Sequence, residues 1–331
     1  GEKQVRRLWL QSMTPAAIRD GFARLRTDDE MRPLADAARC RSEADWLIGI
    51  NGTRAMTAFN SAEGGFYKTP VGRVQTPTLA ILVERETRIK NFVSRDYWEV
   101  EAEFKCVAGS YRGRWFDEKF KKADDEHAKA ERLWDRAKAE ALRKKCLGQH
   151  GEVEEESKPK TEACPLLYDL TSLQREANGR FGFSAKNTLG LAQALYEKHK
   201  VLTYPRTDSR HLPEDYIGTV KDTLSSLGEM PQYATFAGQV LKNGWVHPNK
   251  RIFNNAKVSD HFAIIPTGVL PKNLSEPEQK LYDLVTKRFL AIFFPAAEYH
   301  VTTRITRVEK EAFRTEGKVL VNAGWLAVYG K

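Results

Sequence analysis

LTYPRTDSR, at residues 202–210, sets the interpretation of the whole chain, because a tyrosine, a proline and an arginine follow one another in it. A proline biases the residue before it toward extended backbone angles. In an extended chain, residues two apart point to the same side, so we expect Tyr204, Arg206 and Asp208 to share one face, where the carboxylate could orient the guanidinium. An ordinary surface turn is the alternative, since Tyr-Pro followed by polar residues is common in loops.

A tyrosine beside an arginine in this arrangement suits the transfer of a phosphodiester onto the phenol. The product would be a covalent phosphotyrosyl intermediate that a hydroxyl group can later reverse. A free phenol has a pKa of about 10 and is a poor nucleophile near neutral pH. Arg206 is permanently charged and can contact phosphate through two N–H groups, so it could stabilise both the phenolate of Tyr204 and the charge on the transferring group.

Composition favours an anionic partner. The chain has 331 residues, of which 53 are Lys or Arg and 44 are Asp or Glu, so its formal net charge is +9. This balance favours nucleic acid, with an ordinary solvated basic surface as the alternative. A hydrophobic content of 41% is enough to give two or three domains their own cores. No segment approaches the roughly 18 uninterrupted apolar residues of a membrane span, so no membrane partner is expected.

Cysteine spacing gives no sign of a metal site or a disulfide framework. Cys40, Cys106, Cys146 and Cys164 lie far apart and form no CxxC pair, so neither a zinc ribbon nor a small disulfide-rich fold is indicated. We expect reduced thiols and a cytoplasmic location, without a signal peptide or a lipidation pattern. The first residue, Gly1, is followed directly by charged sequence, and we expect a piece of a longer protein.

Periodicity predicts both helices and strands in the first half of the chain. A capping Thr14 followed by Pro15 at the first helical position is a helix start signal, and residues 98–106 alternate apolar with charged side chains, as a half-buried strand does. The other elements expected are helices over 30–40, 42–59 and 123–145, a turn at 108–110, a partner strand over 111–116, and a strand end with a crossing to another module over 157–165. The predicted fold class is mixed α and β, in several domains.

Two further helices are predicted over 169–178 and 184–199, with a glycine-containing turn between them and a serine as the cap of the second. Such a pair resembles a DNA-binding helix-turn-helix. The alternative is a helical hairpin that packs its apolar side into a core. Because the β pattern returns after about residue 290, we expect this helical module to be inserted into a β domain whose two halves flank it.

Four separated segments resemble one protein family. They are DWLIGINGTRAMT (45–57), VGRVQTPTLAIL (71–82), LTYPRTDSRHL (202–212) and SDHFAIIPTG (259–268). Together, and in this order, they resemble the type IA DNA topoisomerases. A proline at residue 205 and an isoleucine at residue 265 make the topoisomerase III branch the nearest. The resemblance covers nearly the whole chain, and the second and third segments are its most specific motifs.

The resemblance implies parts of a toroidal enzyme core. It divides this chain into a helical domain with part of the single-strand DNA groove (1–64), a discontinuous β-rich hinge domain (65–164 and 270–331) and an inserted helical domain with the catalytic tyrosine (165–269). The family's metal-binding domain, TOPRIM, would precede these segments, and a helix-rich segment would follow them. No Asp-x-Asp pattern occurs in this chain, so the Mg²⁺ ligands of the intact enzyme are expected in the missing domain and none in this chain. A Walker A phosphate loop is also absent from the sequence, and no ATP is expected.

The resemblance also assigns roles to residues at the tyrosine. Tyr204 matches the family's nucleophile, Arg206 the arginine that contacts the scissile phosphate, and Asp208 the acidic residue that supports it. His261 matches a histidine that touches the DNA backbone near the cleavage site, although members of this branch often have a second histidine where Phe262 stands. Without the resemblance, a lone histidine beside an apolar AII run is more often a hydrogen-bonded core residue.

Other positions match the family's active-site helix and its DNA groove. Basic and amide side chains suit a groove for single-stranded DNA, because contacts to the backbone are mostly indifferent to sequence. The residues expected to bind DNA are Asn51, Arg54, Arg73, Gln75, Gln193 and Arg210, and Glu197 is expected to be catalytic. Gln193 and Glu197 lie one helical turn apart, and a merely polar helix face is their alternative. Trp46 could stack on a base, but WLIGI is typical of a buried helix stripe.

The resemblance therefore implies a type IA topoisomerase of the III branch. Such an enzyme attacks a backbone phosphate of single-stranded DNA with its tyrosine, forms a 5′-phosphotyrosyl link, passes another strand through the gap and reseals the break. We expect this chain alone to bind DNA without completing catalysis, and to be a monomer in the bacterial cytoplasm; no helicase partner is specified. The alternative is a non-catalytic module that binds single-stranded nucleic acid. A tyrosine recombinase is less well supported, because no His-x-x-Arg pairing occurs.

Overall fold

The chain divides into two compact units, each with helices and strands. The computed structural model describes residues 3–10, 15–121, 125 and 127–331. Unit 1 comprises Gly1–Trp9 and Asp20–Asp96, and unit 2 comprises Leu10–Arg19 and Tyr97–Lys331. The predicted class, mixed α and β, is confirmed.

Unit 1 is built on one long helix. Thr27 accepts a hydrogen bond from the backbone N–H of Glu30 and donates its own backbone N–H to the carboxylate of Glu30, so a capping box starts this helix. The first elements are β1 (Arg6–Arg7), α1 (Pro15–Ala23), β2 (Arg26–Thr27), α2 (Asp28–Asn60) and α3 (Gln75–Lys90). β1 pairs with β2. The division between the units falls within α1, and Thr14, predicted to cap it, lies outside the described residues.

The two helices predicted over 30–40 and 42–59 form the single helix α2. The predicted break was wrong because Arg41 and Ser42, the residues at that point, both carry a backbone N–H and neither is glycine or proline. The helix continues even through Pro33, in its second turn.

The segment between the two long helices runs along α2. The backbone N–H groups of Thr69 and Val71 donate to the hydroxyls of Thr57 and Thr53, each at 3.0 Å. A Cβ on Gly52 would lie 2.8 Å from the side chain of Val71, so only glycine allows this close approach. These contacts bring the start of α3 against the middle of α2.

Unit 2 contains a five-stranded antiparallel sheet in the order β3-β4-β7-β6-β5. The predicted hairpin over 98–116 is confirmed: Phe104 lies opposite Tyr111, and Gly109 at the turn has a φ of +136°, which side chains rarely adopt. The strands are β3 (Glu101–Cys106), β4 (Gly109–Trp115), β5 (Gly151–Glu162), β6 (Ala297–Val308) and β7 (Glu311–Asn322).

The helix predicted over 123–145 begins later than expected, as α4 (Arg136–Cys146), and is capped by the aspartate before it. Leu133, which the periodicity placed on the helix, instead exchanges backbone hydrogen bonds with Trp98 next to β3. Tertiary pairing has here overridden helix propensity. Residues 123, 124 and 126 of the predicted helix lie outside the described residues.

β5 ends inside the range 157–165, where a strand end was predicted. The strand passes through Pro159, which has no N–H to donate. This is tolerated because β5 lies at the edge of the sheet, with β6 as its neighbour.

The two helices predicted on either side of a glycine turn are confirmed as α5 and α6. The Ser184 hydroxyl accepts a hydrogen bond from the backbone of Asn187 at 3.1 Å and caps α6, and Gly182 ends α5 with a φ of +70°. The helices of this region are α5 (Leu170–Phe181), α6 (Ala185–Glu197), α7 (Ile217–Leu227), α8 (Pro231–Lys242) and α9 (Glu276–Ala291).

The hydrophobic core lies among these five helices. Ala192 and Leu195 of α6 are fully buried in one cluster to which α5, α7, α8 and α9 also contribute. This packing agrees with the helical-hairpin interpretation of α5 and α6. It also fixes α6 rigidly, and the tyrosine segment follows directly from its end.

Candidate active site

Side chains of the tyrosine segment alternate between the core and the surface. Pro205, Thr207 and Ser209 are buried, Arg206 and Asp208 are exposed. This is the period of two that an extended chain gives, so Arg206 and Asp208 share one face of the segment, as expected. Tyr204 is half-buried on the segment that leads into them.

The segment is extended because it pairs with the chain that carries the histidine. Thr203 donates its backbone N–H to the carbonyl of Ile265 at 3.0 Å, and Thr267 donates to the carbonyl of Val201 at 2.9 Å. The buried Thr207 adds a side-chain bond, from its hydroxyl to the carbonyl of His261 at 3.3 Å. The tyrosine and the histidine thus lie on two paired segments.

Three aromatic rings meet at this point. The ring of Tyr204 lies 4.3 Å from that of His261 and 5.4 Å from that of Tyr196, which meets it edge-on. His261 is exposed, so the core-residue alternative for it is wrong. Phe262, at the position of the second family histidine, packs instead on Tyr216 at 4.6 Å. In this segment the imidazole that contacts the Tyr204 ring is that of His261.

Arg206 extends over α6. Its guanidinium makes a long 3.5 Å contact with the side-chain oxygen of Gln193, while Glu197, one helical turn on, is exposed. Asp208 does not pair with Arg206 in this structure; its carboxylate accepts a 3.5 Å hydrogen bond from Ser259. The guanidinium is thus anchored on one side only and open to an anion on the other.

A second set of cations lies at the end of the tyrosine segment. Arg210 donates its Nε to the carbonyl of Leu167 at 3.1 Å, which leaves the terminal nitrogens for other partners. The pKa of His211 is lowered by burial and then by the positive charges of Lys257, Arg210 and Arg251. The surroundings of the segment are therefore positively charged, as a polyanion requires.

The residues predicted to line a DNA groove lie in unit 1. Arg73 forms a salt bridge with Asp45 of α2 at 3.0 Å, and Gln75 is the first residue of α3. Asn51 donates its side chain to the backbone of α2 one turn earlier. Arg54 is exposed. Asn51 and Arg54 lie on α2, and Arg73 and Gln75 lie at the start of α3, which Arg73 joins to α2 through Asp45.

The buried stripe predicted for WLIGI is wrong in this chain. Trp46 is 64% exposed and its apolar neighbours are also exposed, and α2 has no buried residue.

One cavity of the structure lies away from the tyrosine segment. A cavity of about 860 Å³ lies between α4 and the sheet, and the tyrosine segment contributes nothing to its lining. The tyrosine segment is the candidate site, because its phenol and guanidinium suit transfer of a phosphodiester. Among the described residues, no group of three or more His, Cys, Asp or Glu side chains is placed to hold a metal ion. None of the helices in the described ranges has the length and apolar character needed to cross a membrane.

Comparison with known proteins supports the four-segment resemblance. The family model described as DNA topoisomerase matches residues 29–331. The chain belongs to the type IA DNA topoisomerases. The DNA topoisomerase 3 of Bacillus cereus and that of Bacillus subtilis are each 43% identical to it over 330 residues. These matches cover 99% of this chain and 43% of each relative, so the chain spans less than half the length of these topoisomerases.

A solved topoisomerase shares the fold. The full-length topoisomerase I of Thermotoga maritima superposes with a TM-score of 0.63 at 23% sequence identity, over 98% of this chain and 50% of that chain. Of the aromatic cluster, sequence reasoning identified Tyr204 and His261 but not Tyr196. The sequence could have indicated Tyr196, because it follows Gln193 by three residues and therefore lies on the same side of α6.

Proposed function

We propose that this chain is the tyrosine-bearing part of a topoisomerase III-like enzyme that cleaves and reseals single-stranded DNA. One observation carries the proposal: the half-buried Tyr204 contacts the exposed His261 and shares its segment with the exposed Arg206, which has no carboxylate partner among the described residues. Family membership and the 43% identical topoisomerase 3 relatives support it.

The phenolic oxygen of Tyr204 attacks a backbone phosphorus atom, and the bond from phosphorus to the 3′ oxygen breaks. The phenolic proton passes to solvent, and the released 3′ oxygen takes up a proton to become a hydroxyl. Arg206 stabilises the charge on the transferring phosphate, and His261 holds the adjoining DNA backbone. Reversal of these steps reseals the strand after another strand has passed, so the phosphotyrosyl bond conserves the energy and no ATP is needed.

Three further residues are assigned to the same site. Gln193 orients Arg206 by the contact described above. Glu197 follows Tyr196, whose ring touches the nucleophile, and we assign it to proton exchange at the exposed end of α6. Asp208 supports the site by its charge, without an ion pair to Arg206.

Unit 1 and Arg210 hold the strand on this proposal. Asn51, Arg54, Arg73 and Gln75 supply amide and basic groups for contacts that are indifferent to base sequence. The net charge of +9 favours the same partner. We further propose that the three-part domain division predicted from the sequence applies, and that the protein acts as a monomer in the bacterial cytoplasm.

Mg²⁺ is proposed to act in the intact enzyme through ligands supplied from outside this chain. The described residues offer no cluster that fits the ion, so no step above involves a metal ligand of this chain.

A second candidate is a module that binds single-stranded nucleic acid without cleaving it. The observation in its favour is that the chain combines positive charge with no acidic cluster among its described residues. On this alternative Tyr204 is only a contact residue.

The test uses a chimaera in which this chain replaces the 330 matched residues of the Bacillus subtilis DNA topoisomerase 3. Single-stranded DNA labelled at its 3′ or 5′ end is mixed with the chimaera and Mg²⁺, and the reaction is stopped with denaturant. We expect a protein adduct that carries the 3′ label, because the tyrosine joins the 5′ phosphate of the downstream fragment.

Tyr204→Phe should abolish this adduct while the affinity for DNA stays nearly unchanged. Tyr67→Phe, at an exposed tyrosine of unit 1, is the matched control and should retain the adduct. Loss of affinity in Tyr204→Phe, with no adduct formed by the unsubstituted chimaera, would support the binding module instead.

A further inference from the structure

Lys200 has an unusual backbone for a lysine. α6 ends at Glu197, and the chain reverses at Lys200 to enter the tyrosine segment, with a φ of +59°. Its carbonyl accepts a 2.7 Å hydrogen bond from the hydroxyl of Thr267, and the next N–H donates to the carbonyl of Leu195. A β-carbon is costly in this left-handed conformation and glycine is not. The backbone alone therefore gives no reason for a lysine here.

The side chain of Lys200 points to the ring that supports the nucleophile. Its ammonium lies 5.6 Å from the centre of the Tyr196 ring, and Tyr196 meets the ring of Tyr204 edge-on. Lys200 is exposed, and within the described part of the chain no carboxylate pairs with it. A cation over an aromatic face is only weakly stabilised at an exposed position, so the charge remains available to a ligand.

Lys200 and Arg206 contact α6 at two different residues. Arg206 reaches Gln193, Tyr204 touches Tyr196, and Lys200 lies beyond the end of the helix. With a rise of about 1.5 Å per residue, Gln193 and Tyr196 are about 4.5 Å apart along the axis. Tyr196 is thus the ring that both Lys200 and Tyr204 contact, and the Arg206 contact lies about one turn before it on α6.

We propose that Lys200, whose ammonium lies over the Tyr196 ring, binds a phosphate of single-stranded DNA next to the one that Tyr204 attacks. The inference rests on the proposed function and adds a second cation, which contacts Tyr196 rather than Gln193. The contact is a point charge to a phosphate oxygen, so it contributes affinity and positioning of the strand.

The chain offers a matched control at Lys310. This lysine is also exposed and also has a positive φ, of +69°, in the turn between β6 and β7. Lys200→Gly and Lys310→Gly each remove one charge and each place glycine where it is conformationally favoured. Neither variant should lower the thermal midpoint.

The affinity of the chain for an oligothymidylate is measured over a range of salt concentrations. Lys200→Gly should flatten the plot of log affinity against log salt by about 0.7, the value for one phosphate contact to a single strand, and weaken binding about fivefold at 0.1 M salt. Lys310→Gly should match the wild-type chain, and Lys200→Arg should keep the wild-type slope.

Equal slopes for the two glycine variants, with wild-type binding intact, would overturn this inference and leave the proposed function standing. A lower thermal midpoint in Lys200→Gly, with an unchanged slope, would show that the lysine is only structural. A wild-type chain whose binding has no salt dependence would overturn the proposed function and the inference together.

Discussion

Arg206 is the residue whose geometry is best suited to a transition state. Its guanidinium is exposed, touches Gln193 at 3.5 Å and forms no ion pair with Asp208, so a phosphate meets it without competition from a carboxylate. A charge that is already in place costs no reorganisation when the reaction occurs. Gln193 of α6 thus contacts the guanidinium of Arg206 without neutralising its charge.

We expect Arg206→Ala to slow single-turnover cleavage by the chimaera by about 10²–10³, as loss of one preorganised donor does. Arg206→Lys should recover only part of this rate, because an ammonium lacks the planar pair of donors. Arg136→Ala, on the exposed face of α4, removes the same charge and is the control. Cleavage by Arg206→Ala within a few fold of the unsubstituted chimaera would remove Arg206 from the phosphate site.

The residues of this site differ in how far the sequence reveals them. The shared face of Arg206 and Asp208 follows from a proline and a period of two. Their mutual contact does not, because the exposed carboxylate finds Ser259 on a segment about 50 positions later. The left-handed turn at Lys200 was equally hidden, since a lysine carries no signal for a positive φ.

At the scale of elements, one buried ionic network joins α5 to α9. Glu176 accepts hydrogen bonds from Arg288 at 2.6 Å and from the hydroxyl of Tyr168 at 2.5 Å. Arg288 is only 7% exposed and also donates to the carbonyl of Leu166. Burial raises the pKa of Tyr168, which keeps its hydroxyl protonated and able to donate. Burial also opposes the charge of Glu176, but these donors outweigh it and lower the pKa of that carboxyl.

Glu176→Gln should lower the free energy of unfolding by about 2–4 kcal/mol, because it leaves a buried guanidinium without its counter-charge. This loss is smaller than the roughly 3–5 kcal/mol of a fully buried pair, because the side chain of Glu176 is 22% exposed. Urea unfolding measures the change. Glu140→Gln, in the exposed pair with Arg136, should change stability by less than about 1 kcal/mol. Equal losses of stability in Glu176→Gln and Glu140→Gln would mean that the buried network stabilises the fold no more than an exposed ion pair does.

Elements with local signals were predictable. The capped helix pair α5–α6 and the hairpin β3–β4 follow from a serine cap, a glycine turn and alternation. The helix predicted over 123–145 failed because the bridge of Leu133 to Trp98 depends on a partner more than 30 residues away. The break predicted within α2 failed for a local reason, since the sequence there contains no helix breaker.

At the scale of the whole molecule, burial is divided unequally between the two units. The main core cluster lies wholly within residues 164–328 of unit 2, whereas neither α2 nor α3 has a buried residue. Family membership was predictable from the sequence because four motifs occur in order. The difference in burial between the units was not predictable, because apolar side chains such as Ile81 of α3, which is 66% exposed, look like core residues in the sequence. Helices without a packed face derive little stability from tertiary contacts.

This division predicts how the chain opens. Hydrogen exchange of the chain alone should be faster in α2 and α3 than in α6 and α9, because opening free energy follows the apolar contacts that an element buries. Native-state exchange at low denaturant, read by mass spectrometry, measures it. The amides of α9, with ten buried residues, should exchange only through global unfolding, while those of α2 should exchange before it. Exchange of α2 and α9 together over the whole denaturant range would mean that unit 1 shares the stability of unit 2. The exposed apolar side chains of α2 and α3 would then have to be covered in solution by contacts that this structure does not contain.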